Sequence, residues 1–236
     1  APEEINALGQ VGMAVIAGTD RGIFISADAG TKWRPAPKGI GQGSRVLCLD
    51  TQARRVFAGT QERGVIFSDD EGATWNASND GLTDLYVRSL LVVGTRLYAG
   101  TDRQGVFVSE NAGVSWTNQR TGLPNSSQVF DLASLDGTVF AGLYSKGLYR
   151  WDAELGHWTK TGTVLPLELV AVGATLVVGH NPGGVFLSED RGKTWRDGNS
   201  GLPAHAPVWT LAAGDGRVFV GTSGKVGFFP VEIGLF

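Results

Sequence analysis

Apolar residues in this chain come in runs of about four or as short alternations, and Gly, Asp or Asn interrupts every run before a helical period develops. The most regular mark is an apolar residue followed by glycine. Ala17-Gly18-Thr19, Ala58-Gly59-Thr60, Ala99-Gly100-Thr101, Ala141-Gly142-Leu143, Val178-Gly179-His180 and Val220-Gly221-Thr222 fall into register, with glycines 41, 41, 42, 37 and 42 residues apart. Each unit opens on an apolar stretch, such as Val46-Leu47-Cys48-Leu49 or Val129-Phe130-Asp131-Leu132. A second stretch follows the last leucine by seven residues and ends at the glycine mark, as in Val56-Phe57-Ala58-Gly59. After a short loop comes Gly-apolar-aromatic: Gly22-Ile23-Phe24, Gly105-Val106-Phe107, Gly147-Leu148-Tyr149, Gly184-Val185-Phe186. A fourth stretch is expected to begin at a tryptophan.

β-branched and aromatic runs punctuated by turn residues read as strands. A repeat of about 40 residues holding four of them has the length of a propeller blade. The expected fold is all-β: a six-bladed β-propeller with four-stranded antiparallel blades, one domain over residues 1–236. The blades fall at approximately 5–36, 44–78, 86–119, 128–161, 166–197 and 207–236. The last is expected to be incomplete: Val226 to Val231 supplies a third strand, and Ile233-Gly234-Leu235-Phe236 stops before a fourth. Ala1 to Glu4 are too few to supply the missing strand from the other end.

Between the third and fourth strands lies Ser-x-Asp-x-Gly-x-x-Trp. It occurs at Ser26, Asp28, Gly30, Trp33; at Ser68, Asp70, Gly72, Trp75; at Ser188, Asp190, Gly192, Trp195; and, with Asn for Asp, at Ser109, Asn111, Gly113, Trp116. The carboxylate or amide can accept backbone N–H groups of its own turn, the glycine supplies a positive φ, and the tryptophan is a large apolar anchor. One carboxylate per turn makes a poor calcium cage, so these are expected to be structural residues, with no metal or cofactor. The fourth unit departs from the pattern: counting back from Trp158, Trp151, Ala153 and Leu155 replace Ser, Asp and Gly. The motif resembles the Asp-box, or BNR repeat, of the sialidase-like and photosystem-assembly-factor-like propellers, and the resemblance covers nearly the whole chain.

Composition narrows the partners. With 42% hydrophobic and 18% charged residues the chain can pack a core, and a net charge of -3 favours neither nucleic acid nor an anionic membrane. No apolar run is long enough to span a bilayer. The 35 glycines have no Gly-X-Y period, which excludes collagen. Cys48 is the only cysteine and is expected to be a buried small hydrophobe. The chain starts at Ala1 and its only methionine is Met13. That start, with the frequent export of Asp-box proteins, favours a secreted or periplasmic location.

In an antiparallel blade the loops joining strands one to two and three to four share one face, and the Asp-boxes occupy it. Function is therefore expected on the opposite face, where the resemblance also places binding. The loops there are Asp20-Arg21, Gln61-Glu62-Arg63, Asp102-Arg103-Gln104, Tyr144-Ser145-Lys146, His180-Asn181-Pro182 and Ser223-Gly224-Lys225. Arg21, Arg63, Arg103 and Lys146 either receive an anionic ligand or are solvated hairpin tips partly neutralised by acids at 20, 62 and 102. Connections between blades hold Gly39-Ile40, Gly81-Leu82, Gly122-Leu123 and Gly201-Leu202, whose aliphatic residues are expected to plug between blades.

First strands are expected to line the axis. Two positions before the closing leucine stand Asn6, Leu47, Arg88, Phe130, Leu167 and Trp209; one position before it stand Ala7, Cys48, Ser89, Asp131, Glu168 and Thr210. Arg88, Asp131 and Glu168 either form an ion network, bind a ligand, or supply a glycosidase acid/base pair. Trp209 either stacks on a sugar or side chain or fills the pore.

Catalytic signatures are sparse. The resemblance to sialidases implies an arginine triad, a Tyr-Glu pair and an Arg-Ile-Pro motif; no Arg-Ile-Pro occurs, and Tyr98 and Tyr149 fall at core positions of the repeat. His157, His180 and His205 have no metal spacing, and there is no Gly-x-Ser-x-Gly. The expected function is a non-catalytic binding or protein-interaction module whose partner is a protein or glycan on the face opposite the Asp-boxes. The alternative is a glycoside hydrolase-like enzyme using carboxylates near the axis.

Overall fold

A computed structural model describes residues 4–37, 43–162, 164–180, 183–202, 207–214 and 216–222, and the backbone of 229–232. The chain divides into two compact units, Ala1–Gln119 and Arg120–Phe236.

The first unit holds three up-and-down antiparallel sheets. They are β1 (Ile5–Val11), β2 (Ala14–Thr19), β3 (Gly22–Ser26) and β4 (Arg34–Pro35); β5 (Val46–Gln52), β6 (Arg55–Thr60), β7 (Val65–Ser68) and β8 (Asn76–Ala77); β9 (Val87–Val93), β10 (Arg96–Thr101), β11 (Val106–Ser109) and β12 (Thr117–Asn118). The second unit follows the same plan with β13 (Val129–Leu135), β14 (Thr138–Leu143), β15 (Gly147–Asp152) and β16 (His157–Gly162); β17 (Pro166–Val172), β18 (Thr175–His180), β19 (Val185–Ser188) and β20 (Arg196–Asp197); then the three-stranded sheet β21 (Val208–Gly214), β22 (Arg217–Thr222) and β23 (Phe229–Glu232). No helix occurs among the described residues.

The expected start of the fourth strand needs correction. In the Asp-motif sheets it begins after the tryptophan, not at it, and is two residues long. The fourth sheet, which lacks the motif, has a six-residue fourth strand instead. There Asp152 Oδ1 accepts the N–H groups of Glu154 and Leu155 at 3.1 and 3.0 Å, and Trp151 meets Trp158 edge-on at 5.5 Å. An Asx turn thus closes this hairpin by other residues.

Within each unit consecutive sheets stack face to face. Ile16, Ile23 and Ile25 of the first sheet pack with Val46, Val56, Ile66 and Trp75 of the second. Phe57 and Val65 of the second pack with Val87, Phe107 and Trp116 of the third. In the second unit, Phe140 and Leu148 meet Leu169, Val178 and Trp195, and Val177 and Leu187 meet Val208 and Val220. Both faces of a middle sheet are covered, which is why the second strands read as unbroken apolar runs.

The repeated glycine has a packing cause. A Cβ on Gly18 would stand 2.5 Å from the Val46 side chain, one on Gly142 2.7 Å from Pro166, and one on Gly179 2.6 Å from Val208. The first residue of the next sheet lies directly on the glycine backbone, and any side chain would push the sheets apart. Leu82 and Leu123 of the connecting segments are buried, as expected of plugs, and Leu202 is half-buried. Gly39-Ile40 lies outside the described residues. Cys48 is half-buried, not fully buried.

Candidate binding surface

Each sheet has two ends with different chemistry. At one end the Ser-x-Asp-x-Gly-x-x-Trp turns are closed by their own residues. Ser26 Oγ donates to Asp28 Oδ1 and accepts from Gly30 N–H, both at 2.8 Å, and Lys32 N–H donates to the same carboxylate at 2.8 Å. Ser68, Asp70 and Gly72, and Ser188, Asp190 and Gly192, repeat these bonds, while Asn111 takes the role beside Ser109 and Gly113. The four glycines have φ between 82° and 89°. Hydrogen bonding to Thr194 and Ser188 holds the Asp190 carboxyl down at about 2, and backbone and hydroxyl donors lower Asp28 and Asp70 in the same way. Trp75 and Trp195 donate to the carbonyls of Gly72 and Gly192, whereas Trp116 donates to Ser78 O at 2.7 Å. The strand-one-to-two turns lie at this same end: Arg55 pairs with Asp69 and Arg54 with Glu71.

The opposite end carries the strand-two-to-three loops and the starts of the first strands. Gln61 N–H donates to Arg45 O, Asp102 N–H to Tyr86 O, and Tyr144 N–H to Gln128 O. Here every first strand breaks register at one place: between Ile5 and Ala7, Val46 and Cys48, Val87 and Ser89, Val129 and Asp131, Pro166 and Glu168, and Val208 and Thr210. The skipped residues are Asn6, Leu47, Arg88, Phe130, Leu167 and Trp209, the positions singled out from the sequence. A β-bulge leaves its residue outside the ladder and re-aims the side chain.

In the first unit Arg88 forms an ion pair with Asp102 at 2.7 Å and lies 4.5 Å over the Tyr86 ring. Arg103 is 3.8 Å from the same aspartate and strongly exposed. Arg21 and Arg63 are exposed, and their backbone N–H groups donate to Thr19 and Thr60. Those buried threonines donate in turn to Gly22 O and Gly64 O, and Thr101 donates to Gly105 O, each at 2.9 Å. The threonine after the repeated glycine therefore braces the loop that carries each cation. Its recurrence in Ala-Gly-Thr was the available signal, and sequence reasoning passed over it. It passed over Asp84 as well, which is buried and accepts the N–H groups of Arg103 and Gln104.

In the second unit the Phe130 ring stacks on Tyr144 at 5.1 Å and 23°. Tyr144 remains 51% exposed and Trp209 58%. Lys146 Nζ donates to the carbonyls of Asn125 and Ser126 at 2.7 and 3.1 Å, which holds it against the connecting segment. His180 meets Phe186 edge-on at 5.4 Å, and its Nδ1 is buried without a hydrogen-bond partner among the described residues. Asn181-Pro182, His205 and Lys225 lie outside the described residues.

The carboxylates Asp131 and Glu168 reach across to the next sheet. Asp131 Oδ2 accepts Leu169 N–H at 2.7 Å, and the Glu168 carboxyl accepts a backbone hydrogen bond from Leu211. In the first unit Asp50 spans the gap from β5 in the same manner, accepting Val92 N–H at 2.7 Å. Desolvation, then the neighbouring Asp131 charge, raises Glu168 well above the ordinary carboxylate range. Desolvation raises Asp50 too, against its two backbone donors.

No family model matches the chain, and no curated protein matches it. Solved structures do. The extracellular domain of BT4673 from B. thetaiotaomicron superposes with a TM-score of 0.76 at 18% identity over 94% of this chain and 31% of that one. YCF48 bound to D1 peptide gives 0.73 at 13% identity over 99% of this chain and 79% of that one. The GH74 xyloglucanase from Xanthomonas campestris gives 0.71 at 18% identity over 95% and 44%. The fold is a β-propeller. This propeller chain spans about a third of the length of the BT4673 domain and less than half of the xyloglucanase. Neighbours of the propeller thus include a protein seen with a bound peptide and a xyloglucanase. No helix among the described residues is long and apolar enough to cross a membrane.

Proposed function

We propose that this propeller is a non-catalytic binding module of the Asp-box type that recognises a protein segment at the sheet ends carrying the strand-two-to-three loops. The observation that carries the reading is the bulge repeated in every first strand. It turns one residue per sheet out of the ladder, and in the second unit the residues so placed include Phe130, stacked under exposed Tyr144, and exposed Trp209. Large aromatics with open faces are the side chains that anchor protein contacts. Arg21, Arg63 and Arg103 supply cations at the same ends of the first unit's sheets, Arg88 is held there by Asp102, and Lys146 and His180 occupy the corresponding loops of the second. YCF48, a propeller of like fold, is seen with a bound peptide, and that supports a protein partner over a glycan. An exported location accords with the extracellular origin of the BT4673 neighbour.

The Asp-box residues have a structural part in this reading, since their polar atoms are used within their own turns. Binding to a peptide and glycan array, followed by titration of the best probe, tests it. Tyr144→Ala and Trp209→Ala should each weaken binding about tenfold or more, equivalent to about 1.4 kcal/mol, while Asp28→Ala leaves affinity unchanged and lowers only stability. Loss of binding confined to the Asp28, Asp70 and Asp190 turns would place the site at the wrong end.

A second reading, glycan hydrolysis, is favoured by one observation: desolvation and the neighbouring Asp131 charge shift the Glu168 carboxyl upward, the direction a general acid needs. Both groups, however, already accept backbone N–H groups of the next sheet. Reducing-sugar release from xyloglucan that disappears in Glu168→Gln would support hydrolysis; binding without turnover supports the module.

A further inference from the structure

A bulged residue has a partner position at a fixed spacing along the chain. In four sheets the loop residue fourteen positions further on is held by its own backbone. Asp20 N–H donates to Glu4 O at 3.3 Å, Gln61 N–H to Arg45 O at 3.0 Å, Asp102 N–H to Tyr86 O at 3.0 Å, and Tyr144 N–H to Gln128 O at 2.9 Å. Each acceptor stands two residues before the bulged residue of its sheet: Asn6, Leu47, Arg88 and Phe130. The bulge and the backbone bond therefore bring two side chains to one place whatever their types. The equivalent loop positions of the last two sheets, Asn181 and Ser223, lie outside the described residues.

The geometry repeats and the chemistry does not. Asn6 Nδ2 donates to Asp20 Oδ1 at 2.9 Å, and the same carboxylate pairs with Arg45 at 2.7 Å. Arg88 Nε donates to Asp102 Oδ1 at 2.7 Å. Phe130 stacks on Tyr144 with ring centroids 5.1 Å apart. The second sheet has Leu47 and Gln61 at the two positions. The Asp-motif turns are closed by side chains, so their residue types recur. Here the backbone does the holding, so folding leaves the side chains open to selection by a partner. In the fourth sheet the half-buried Phe130 ring lies against one side of the Tyr144 ring, and Tyr144 is 51% exposed.

We infer that the bulged residue and the loop residue fourteen positions on form a two-residue specificity unit, in which the first orients the second toward the partner. Phe130 is then a positioning residue for Tyr144, and this ring pair takes an apolar side chain of a protein partner. The inference rests on the binding reading above.

Fluorotyrosine labelling tests the pairing without any partner, since the chain has four tyrosines. Phe130→Leu keeps an apolar side chain and removes the ring; should it fail to fold, Phe130→Met replaces it. The fluorine spectrum should show a shifted Tyr144 signal, assigned from Tyr144→Phe, with the signals of Tyr86, Tyr98 and Tyr149 in place. An array of random peptides tests the function. Phe130→Leu should lose the peptides that Tyr144→Ala loses. For the tightest of these, Phe130→Leu should weaken binding about tenfold in the parent but less than about twofold in the Tyr144→Ala background. Phe130→Tyr, which retains a ring, should bind as the parent does. An unmoved Tyr144 signal, or losses that add independently, overturns the pairing and leaves the binding reading standing. A parent chain that binds no peptide overturns both.

Discussion

Trp33 and Trp75 occupy the same place in the same eight-residue motif, yet one is 40% exposed and the other 9%. Truncation of Trp75 or Trp116 to alanine opens a void between two packed sheets and should cost about 3–5 kcal/mol in urea unfolding. Trp33→Ala removes far less contact in an isolated chain and should cost less than half as much. The carboxylates divide in the same way by surroundings. Asp28, Asp70 and Asp190 are held below their ordinary range by turn donors, so their contribution is present above the unfolded value and is lost as pH falls through the lowered one. Glu168 and Asp50 are raised by desolvation, so their ionisation costs stability as pH rises from the unfolded value of about 4 toward the raised one. Denaturant midpoints should therefore climb on going from neutral pH to about 5 and drop below about 4. Glu168→Gln should flatten the climb and leave the drop.

At the scale of the element, the connecting segments show how tightly a blade is tied to its neighbour. Gly122 has φ +88°, and a Cβ there would run into the backbone carbonyl of Trp158; Gly81 stands in the same relation to Trp116. Leucine follows both and is buried. Gly122→Ala combines left-handed strain with a backbone collision that no rotamer can relieve, and it should destabilise by more than about 1 kcal/mol. Gly137→Ala, at φ +73° but with open space around the added methyl, isolates the strain alone, and comparing the two melts separates the terms. The loops on the proposed binding end are braced from below by Thr19, Thr60 and Thr101. Thr60→Val keeps the shape and removes the hydroxyl. It should raise amide exchange around Arg63 while the β5–β6 ladder stays protected.

For the molecule as a whole we propose that residues 1–236 behave as one cooperative domain, because the sheet interfaces within each unit use the same apolar stacking. Calorimetry should then give one transition with equal calorimetric and van't Hoff enthalpies. Two transitions, with a protease cut near Gln119, would divide the chain at the boundary between its two compact units.

The sequence by itself determined the local plan. A period of about 40 residues, strand-like runs and the Ser-x-Asp-x-Gly-x-x-Trp turn are set by neighbours within a few residues, so six sheets, the last with three strands among the described residues, were legible from spacing alone. Candidate residues were legible as positions where the repeats disagree, and Arg88, Phe130 and Trp209 were found that way. What they share, a bulge, arises only when two strands pair, and no residue type announces it. Arg88 reads in sequence as a possible partner for Asp131; in the folded unit it is paired with Asp102, fourteen residues on and across the hairpin. Asp131 and Glu168 read in sequence as members of an ion network, as ligand-binding groups or as an acid/base pair; packing of the next sheet puts a backbone N–H within reach of each. Ile5, Leu8 and Trp33 stand at the repeat positions of Val46, Leu90 and Trp75, which are buried, and yet are themselves exposed. Burial depends on which surfaces meet, and that is decided by tertiary contact, not by the local pattern.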